Sequence, residues 1–403
     1  MSDRKVRGLA LLFMATYMVS YITRVNFGAV ISEIEADTHI ARTLLSMSIT
    51  GSFITYGAGQ LISGVCGDLV SPKRLVQAGL ITTTLMNLII PLCQSPYQML
   101  VVWCINGFAQ AFMWPPIVKL MVAAFSEEYY NKMAIRISCA SSYGTIVTYF
   151  AAPLLISAAG WRAVFIFAAC CGAIMTVLWS KYCIDIKSIV QKPLKREEIK
   201  KPSAVKVLFS PVVIAVMFAI ILQGMLRDGV TTWMPTYITD TYNLGTTVSI
   251  LSGVVIPLFS ILCIKIASAL YKGKLQNPVL CSAVMFLIGL ISAVALYFSS
   301  GSSVILSVVC TSVLTGAMYG VATMLTAIVP PFFKKYGNIS TVSGVLNACT
   351  YVGSGISTFG IAVLSKNMGW KLTLLMWCVV AVMGTILCFV SAIPWKKKFS
   401  ESD

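Results

Sequence analysis

Negative charge is scarce in this chain. Its 403 residues include 14 Asp and Glu against 30 Lys and Arg, with a single histidine, His39. Charged residues of both signs make up 11% while 58% of positions are hydrophobic, too little polar surface to cover a water-soluble globule. No glycine-rich phosphate loop, no cysteine pairs at zinc spacing and no nucleophile beside a base accompany the apolar runs, which argues against an enzyme and against a metal or other cofactor. The 13 cysteines lie mostly inside those runs and read as small hydrophobes rather than a disulfide framework. With its one histidine in a loop, the chain has no means of running a histidine proton relay inside a membrane.

What it has instead is hydropathy, +0.85 on average. A spanning helix needs about 20 apolar residues. Twelve such runs occur, at 8–32, 44–67, 75–94, 98–124, 134–158, 161–183, 207–238, 246–270, 278–299, 302–332, 338–364 and 370–393. An even number puts both termini on one side of the bilayer. Arg4, Lys5 and Arg7 at one end and Lys396, Lys397 and Lys398 at the other mark that side as cytoplasmic, as do Lys73, Arg74, Lys132, Lys272, Lys274, Lys334 and Lys335 in the short loops. The first outer loop carries Glu33, Glu35 and Asp37 instead. The net charge of +16 is therefore a topology signal, and no nucleic-acid partner is expected. The first run continues past signal-peptide length without a small-residue cleavage site and reads as a retained span.

Residues 184–206 form the one long polar segment, a basic linker between six spans in 1–183 and six in 207–403. The expectation is an all-α membrane protein of twelve transmembrane helices in two pseudo-symmetric six-helix bundles. Internal repetition supports it. Gly160-Trp161-Arg162 opens the sixth span and Gly369-Trp370-Lys371 the twelfth, 209 residues later; Ala140 to Gly144 in the fifth resembles Ala348 to Gly353 in the eleventh. Pro115-Pro116 in the fourth is matched with Pro330-Pro331 in the tenth.

Arg24 and Arg227, 203 residues apart, lie in the first span of each half. A charge near the centre of a spanning helix costs about 2.5 to 3.5 kcal/mol on insertion scales, so it is kept for a partner or an aqueous path. Guanidinium stays ionised and offers forked donors that match phosphate or carboxylate oxygens. Tyr17 and Tyr21, seven and three residues before Arg24, share its helix face and add hydroxyls or an aromatic wall. The competing reading pairs Arg227 with Asp228, although adjacent helical residues do not face each other.

Tyr17, Tyr21, Arg24 and Asn26, the Gly64, Gly67-Asp68 and Lys73-Arg74 loop, Asn106-Gly107, Gln110 and Trp114-Pro115-Pro116, and Leu226-Arg227 with Trp233 and Pro235-Thr236-Tyr237 together resemble the major facilitator superfamily. Within it they resemble the organophosphate:phosphate antiporters, which include glycerol-3-phosphate and hexose-phosphate transporters. The loop motif is superfamily-wide; the fourth- and seventh-span blocks are more specific. The resemblance implies a central cavity in which Arg24 and Arg227 grip a substrate phosphate from opposite sides. It also implies substrate contacts from Gln60, Ser141 and Tyr351. Gln60 stands where the glycerol-3-phosphate carriers have a lysine and Ser141 where they have a histidine, so an anion less charged than their substrate stays open. Lys119 stands where the family commonly has arginine and is expected at the cytoplasmic mouth. Asp68 with Lys73 and Arg74 is expected to form a cytoplasmic charge network that biases the conformational equilibrium, and Asp228 to serve gating or coupling. Arg136 pairs with Glu127 or Glu128 or is solvated; Lys265 reads as structural; Tyr319 joins Tyr351 as a cavity candidate.

The expected activity is secondary transport of a small organic anion, a phosphorylated metabolite, in exchange for inorganic phosphate through alternating access. The alternatives are proton-coupled symport of a carboxylate or sulfonate, and a transporter-like membrane sensor of a sugar phosphate. A cationic-drug permease is disfavoured, since it needs an acidic cavity. The expected partners are the substrate anion, inorganic phosphate or a proton, and the lipid bilayer of the cell's inner membrane, with the chain acting as a monomer.

Overall fold

The computed structural model describes residues 3–185, 207–243 and 246–400, all of them in helices, turns and short connections. The first stretch holds α1 (Asp3–Ala29), α2 (Ile31–Thr38), α3 (Arg42–Leu69), α4 (Pro72–Ile89), α5 (Pro96–Gln110), α6 (Trp114–Ala124), α7 (Glu127–Ala159) and α8 (Trp161–Tyr182). The rest holds α9 (Pro211–Tyr242), α10 (Thr246–Leu270), α11 (Pro278–Ser299), α12 (Val304–Ala322) and α13 (Ile339–Ser400), the last bent at Gly369. Most of the basic linker lies outside the described residues.

Ten stretches among these are long and apolar enough to cross a membrane. The other two of the twelve are α3 and the part of α13 before Gly369, long but rich in Gly, Ser and Thr. Large side chains on the outer faces, such as Leu11, Ile54, Phe150, Phe298 and Val390, are well exposed to what would be lipid.

Local chemistry sets the helix ends. Pro72, Pro96, Pro211 and Pro278 begin four of the helices, where the missing N–H costs nothing. Ser95 and Gln98 close a reciprocal capping box at the start of α5, and Asn277 accepts from the amides of Val279 and Leu280 at the start of α11. The double prolines of the two halves both fall within spans but on different turns of them. Pro115 and Pro116 lie in the first turn of α6, after the helical ladder breaks at 111–113, whereas Pro330 and Pro331 open the tight turn Pro330–Tyr336 that closes the span Val304–Tyr336.

The described helices form two compact units, Met1–Ala204 with Phe333–Ala348, and Val205–Phe332 with Cys349–Asp403. Each repeats the same internal crossings. A Cβ on Gly144 of α7 would collide with the Met18 carbonyl of α1, and one on Gly353 of α13 with the Ile221 carbonyl of α9. Only bare backbone lets these helices touch, the usual device where lipid offers no hydrophobic drive for association. Gly160 and Gly369 match as well, with φ 76°, ψ 176° and φ 77°, ψ 174°, a conformation in which a side chain is strained.

Candidate functional site

In the first unit, Tyr17, Tyr21 and Arg24 recur on one face of α1, one turn apart. The Arg24 guanidinium carbon lies 4.5 Å from the Tyr21 ring centroid and 4.8 Å from that of Tyr56 on α3. Tyr17 packs 5.4 Å from Tyr21 and 5.0 Å from Trp114 of α6. Arg24 is half-buried, and the rings hold the cation by their negative faces, worth about 0.5 to 2 kcal/mol each.

Gln60 sits one turn beyond Tyr56, fully buried, and its Nε2 donates to the Ala111 carbonyl at 3.5 Å. That carbonyl is the one Pro115 would have bonded had it an N–H, so the glutamine repairs the break the prolines make. Its Oε1 has no hydrogen-bond partner among the described residues. Ser141 is buried, and its hydroxyl donates to the Ser138 carbonyl of its own helix at 2.6 Å.

A polar staple stands behind Arg24. Asn26 Nδ2 donates to Asn87 Oδ1 at 2.7 Å, Asn87 Nδ2 to the Thr23 carbonyl at 3.1 Å, and Asn106 Nδ2 to the same carbonyl at 3.2 Å. Gln110 Nε2 donates to both Thr23 Oγ1 and Thr83 Oγ1 at 2.8 Å, and Thr83 donates to Asn106 Oδ1. Such bonds average about 0.6 kcal/mol in a bilayer, so the set chiefly fixes the register of α1 against α4 and α5, and with it the position of Arg24.

The second unit is built differently. Arg227 is buried at 9% exposure and forks onto its neighbour, Nε to Asp228 Oδ1 at 2.7 Å and Nη2 to Oδ2 at 2.8 Å. The expectation that neighbours on one helix do not meet fails here because arginine is long enough to fold back around the helix. Ser354 also donates to Asp228 Oδ2, and the rings of Tyr319 and Tyr351 lie 5.3 Å and 5.9 Å from the guanidinium carbon. One turn earlier, Gln223 donates to the Met318 carbonyl at 3.1 Å. Lys265 points outward and is exposed.

The Asp68 network differs from expectation too. Its partner is Lys119 at 3.1 Å, with Lys119 also donating to the Gly67 carbonyl at 2.8 Å. The carboxylate then caps the start of α13 within the same unit, accepting from the Ser340 amide at 3.3 Å and from the Thr341 amide and hydroxyl at 2.8 Å each. A helix N-terminus with free amides attracts an anion more strongly than solvated loop cations do. Arg74 is exposed, and neither it nor Lys73 forms an ion pair with Asp68. Lys119 thus joins the Asp68 network directly. Arg136 is exposed.

Sequence reasoning missed Tyr56 and Trp114 as walls, Ser354, the polar staple, and a pair of outer contacts. Trp161 Nε1 donates to Asp37 Oδ2 at 2.9 Å, joined by Arg162 Nη1 at 2.8 Å. In the other unit Trp370 Nε1 donates to Asp240 Oδ2 at 3.0 Å. Asp240 follows Asp37 by 203 residues, the spacing of the two arginines, and that repeat was the available signal. The indole and guanidinium bonds hold the Asp37 carboxyl below its ordinary value of 3.8. A carboxylate whose pKa drops on folding stabilises fully above the unfolded value and less as pH falls through the folded one. Asp37→Asn is therefore expected to lower the melting temperature at neutral pH, with the gap from wild type closing below 3.8; differential scanning fluorimetry in detergent across pH checks this, and a gap that widens in acid refutes it.

Comparison with known proteins places these features. A model of the Major Facilitator Superfamily matches residues 13–358. Over 259 residues the chain is 24% identical to the membrane sensor protein UhpC of Escherichia coli (strain K12), covering 58% of this chain and 57% of the sensor. It is 25% identical over 247 residues to the glycerol-3-phosphate transporter of Bacillus subtilis (strain 168), 56% and 55% of the two chains, and 28% identical over 146 residues to the "Probable hexose phosphate transport protein" of Chlamydia muridarum (strain MoPn / Nigg), 36% and 32%. The chain thus spans little more than half the length of the first two of these relatives and about a third of the last. Among solved structures, the proton:xylose symporter XylE superposes with TM-score 0.79 at 11% identity over 99% of this chain and 96% of that one, and the E. coli fucose:proton symporter FucP with 0.73 at 11% over 95% and 98%. At that identity the likeness is one of fold.

Proposed function

Because this chain belongs to the Major Facilitator Superfamily, we propose that it is a secondary active transporter, moving a small phosphorylated organic anion across the cytoplasmic membrane in exchange for inorganic phosphate. The observation that carries this is the pair of repeat-related arginines, each held inside a span against tyrosine rings. Two relatives named for hexose phosphate and glycerol-3-phosphate transport support the substrate class.

The mechanism follows from charge. Removing a guanidinium from water costs several kcal/mol even after relaxation. An anion bound at either arginine lowers that cost, which Asp228 already offsets in part at Arg227, so the alternating-access cycle turns over loaded and stalls empty, which is exchange. Asp68, joined to Lys119 and to the start of α13, biases the cycle by holding one arrangement of the cytoplasmic helix ends. Both termini face the cytoplasm on the distribution of Lys and Arg.

The Arg227–Asp228 pair favours a second reading, proton-coupled symport, because a carboxylate that can bind a proton sits on the arginine itself. The name of the E. coli relative supplies a third, sensing without bulk flux. One experiment separates them: purified protein in proteoliposomes, with uptake of labelled phosphate measured with and without phosphate inside. Exchange requires internal phosphate and survives an uncoupler. Symport proceeds into phosphate-free vesicles and collapses with the uncoupler, and a sensor gives no flux in either.

A further inference from the structure

Resting on the reading that Arg227 meets the substrate anion, we infer that Asp228 is a specificity-determining residue: it cancels the net charge of Arg227 and so makes the second unit select singly charged anions over doubly charged ones.

The geometry defines what Arg227 has left to give. Guanidinium carries five N–H donors in a fixed plane. Asp228 takes two of them, from Nε and from Nη2, in a side-on fork at 2.7 Å and 2.8 Å. Three donors remain, two on Nη1 and one on Nη2, along the edge facing away from the carboxylate. An incoming anion can bind that edge end-on while the pair stays intact. Asp228 has little reason to leave, because its Oδ2 accepts from both Nη2 and the Ser354 hydroxyl. Tyr319 and Tyr351 bound the guanidinium at 5.3 Å and 5.9 Å and keep it in one orientation.

Charge then decides the ligand. A lone buried guanidinium would reward each added negative charge. A neutralised pair presents a dipole, whose attraction for the near charge is opposed by the carboxylate just behind it. Desolvating an ion costs more steeply than in proportion to its charge, growing with its square, so the second charge of a dianion brings a large penalty and little return. The donors still satisfy a monoanion. The favoured class is a singly protonated phosphoester, a phosphodiester, a sulfonate or a carboxylate.

The test holds shape constant and changes charge. Methyl, glyceryl and hexose alcohols are offered as sulfate monoesters, which carry one negative charge, and as phosphate monoesters, which carry nearly two at about pH 8. Ligand-induced shifts in melting temperature of the detergent-purified full chain read affinity. The expected result for the wild type is a sulfate ester half-saturating at a concentration at least tenfold lower than its phosphate twin. Asp228→Asn, which keeps a similar shape without the charge, is expected to move that ratio at least tenfold toward the phosphate, and Asp228→Glu to leave it near the wild-type value. A wild type that prefers the phosphate twin overturns the inference whatever the variants do, as does a ratio unchanged in Asp228→Asn. If no ester of either charge shifts the wild type or Asp228→Asn, the anion-binding reading itself falls, and this inference with it.

Discussion

Arg24→Lys and Arg227→Lys are each expected to cut phosphate exchange in proteoliposomes by about 100-fold while the protein still reaches the membrane and elutes as a folded species. Lysine keeps the charge but loses the planar fork. It offers one compact ammonium where two parallel N–H bonds reached a single anion. A hydrogen bond to a charged group contributes about 1.5 to 3 kcal/mol, and the upper end corresponds to roughly a 100-fold loss. At Arg24 the change also removes a flat cation from between Tyr21 and Tyr56, 4.5 Å and 4.8 Å away. At Arg227 it leaves Asp228 an ion-pair partner, so the fold is preserved and the defect falls on the ligand-facing donors. Normal exchange by both variants would show that neither arginine handles the substrate.

The second large effect is on folding. Gly144→Val and Gly353→Val are each expected to remove most folded protein from the detergent extract. The new Cβ would strike backbone, the Met18 carbonyl in one unit and the Ile221 carbonyl in the other, and neither can rotate away. Overpacking a close-packed contact costs about 1 to 3 kcal/mol, and rigid backbone puts these sites at the upper end or beyond. The helices pushed aside are α1 and α9, which carry Arg24 and Arg227, so any surviving protein should also bind anions poorly. Gly355→Val, where nothing lies within 4 Å, is the control and is expected to fold normally. Equal yields of folded protein from all three, measured by size-exclusion chromatography, would refute the close-crossing account.

Much of this was legible in the chain because the bilayer is a simple solvent. It demands about 20 apolar residues per span and internal pairing of backbone polar groups, and both leave marks that can be counted along a sequence. An arginine in such a run stands out for the same reason. The repeat was readable from Gly160-Trp161 and Gly369-Trp370 because duplicated units keep the residues their geometry requires. The double prolines marked the fourth and tenth spans but not their register, since dipeptide identity says nothing about which turn of a span they occupy.

Contacts across long sequence separations were not legible. Trp161 meets Asp37 and Trp370 meets Asp240 across more than a hundred residues, and Asp68 reaches the amides of Ser340 and Thr341 from farther still. Nothing local distinguishes those carboxylates from solvated ones. The Arg227–Asp228 pair was local and still misjudged, because helical spacing rules describe where Cβ atoms point and not where a long flexible side chain can return.

The sequence by itself determined that this is a membrane protein of many apolar spans with one arginine inside the first span of each half. Only the tertiary structure decided what each arginine touches: tyrosine rings on α1 and α3 for Arg24, a carboxylate and a serine for Arg227. The reason is physical. Hydropathy is a sum over one stretch of chain, whereas the partner of a buried charge is selected by whichever group on a neighbouring helix packing brings within bonding distance.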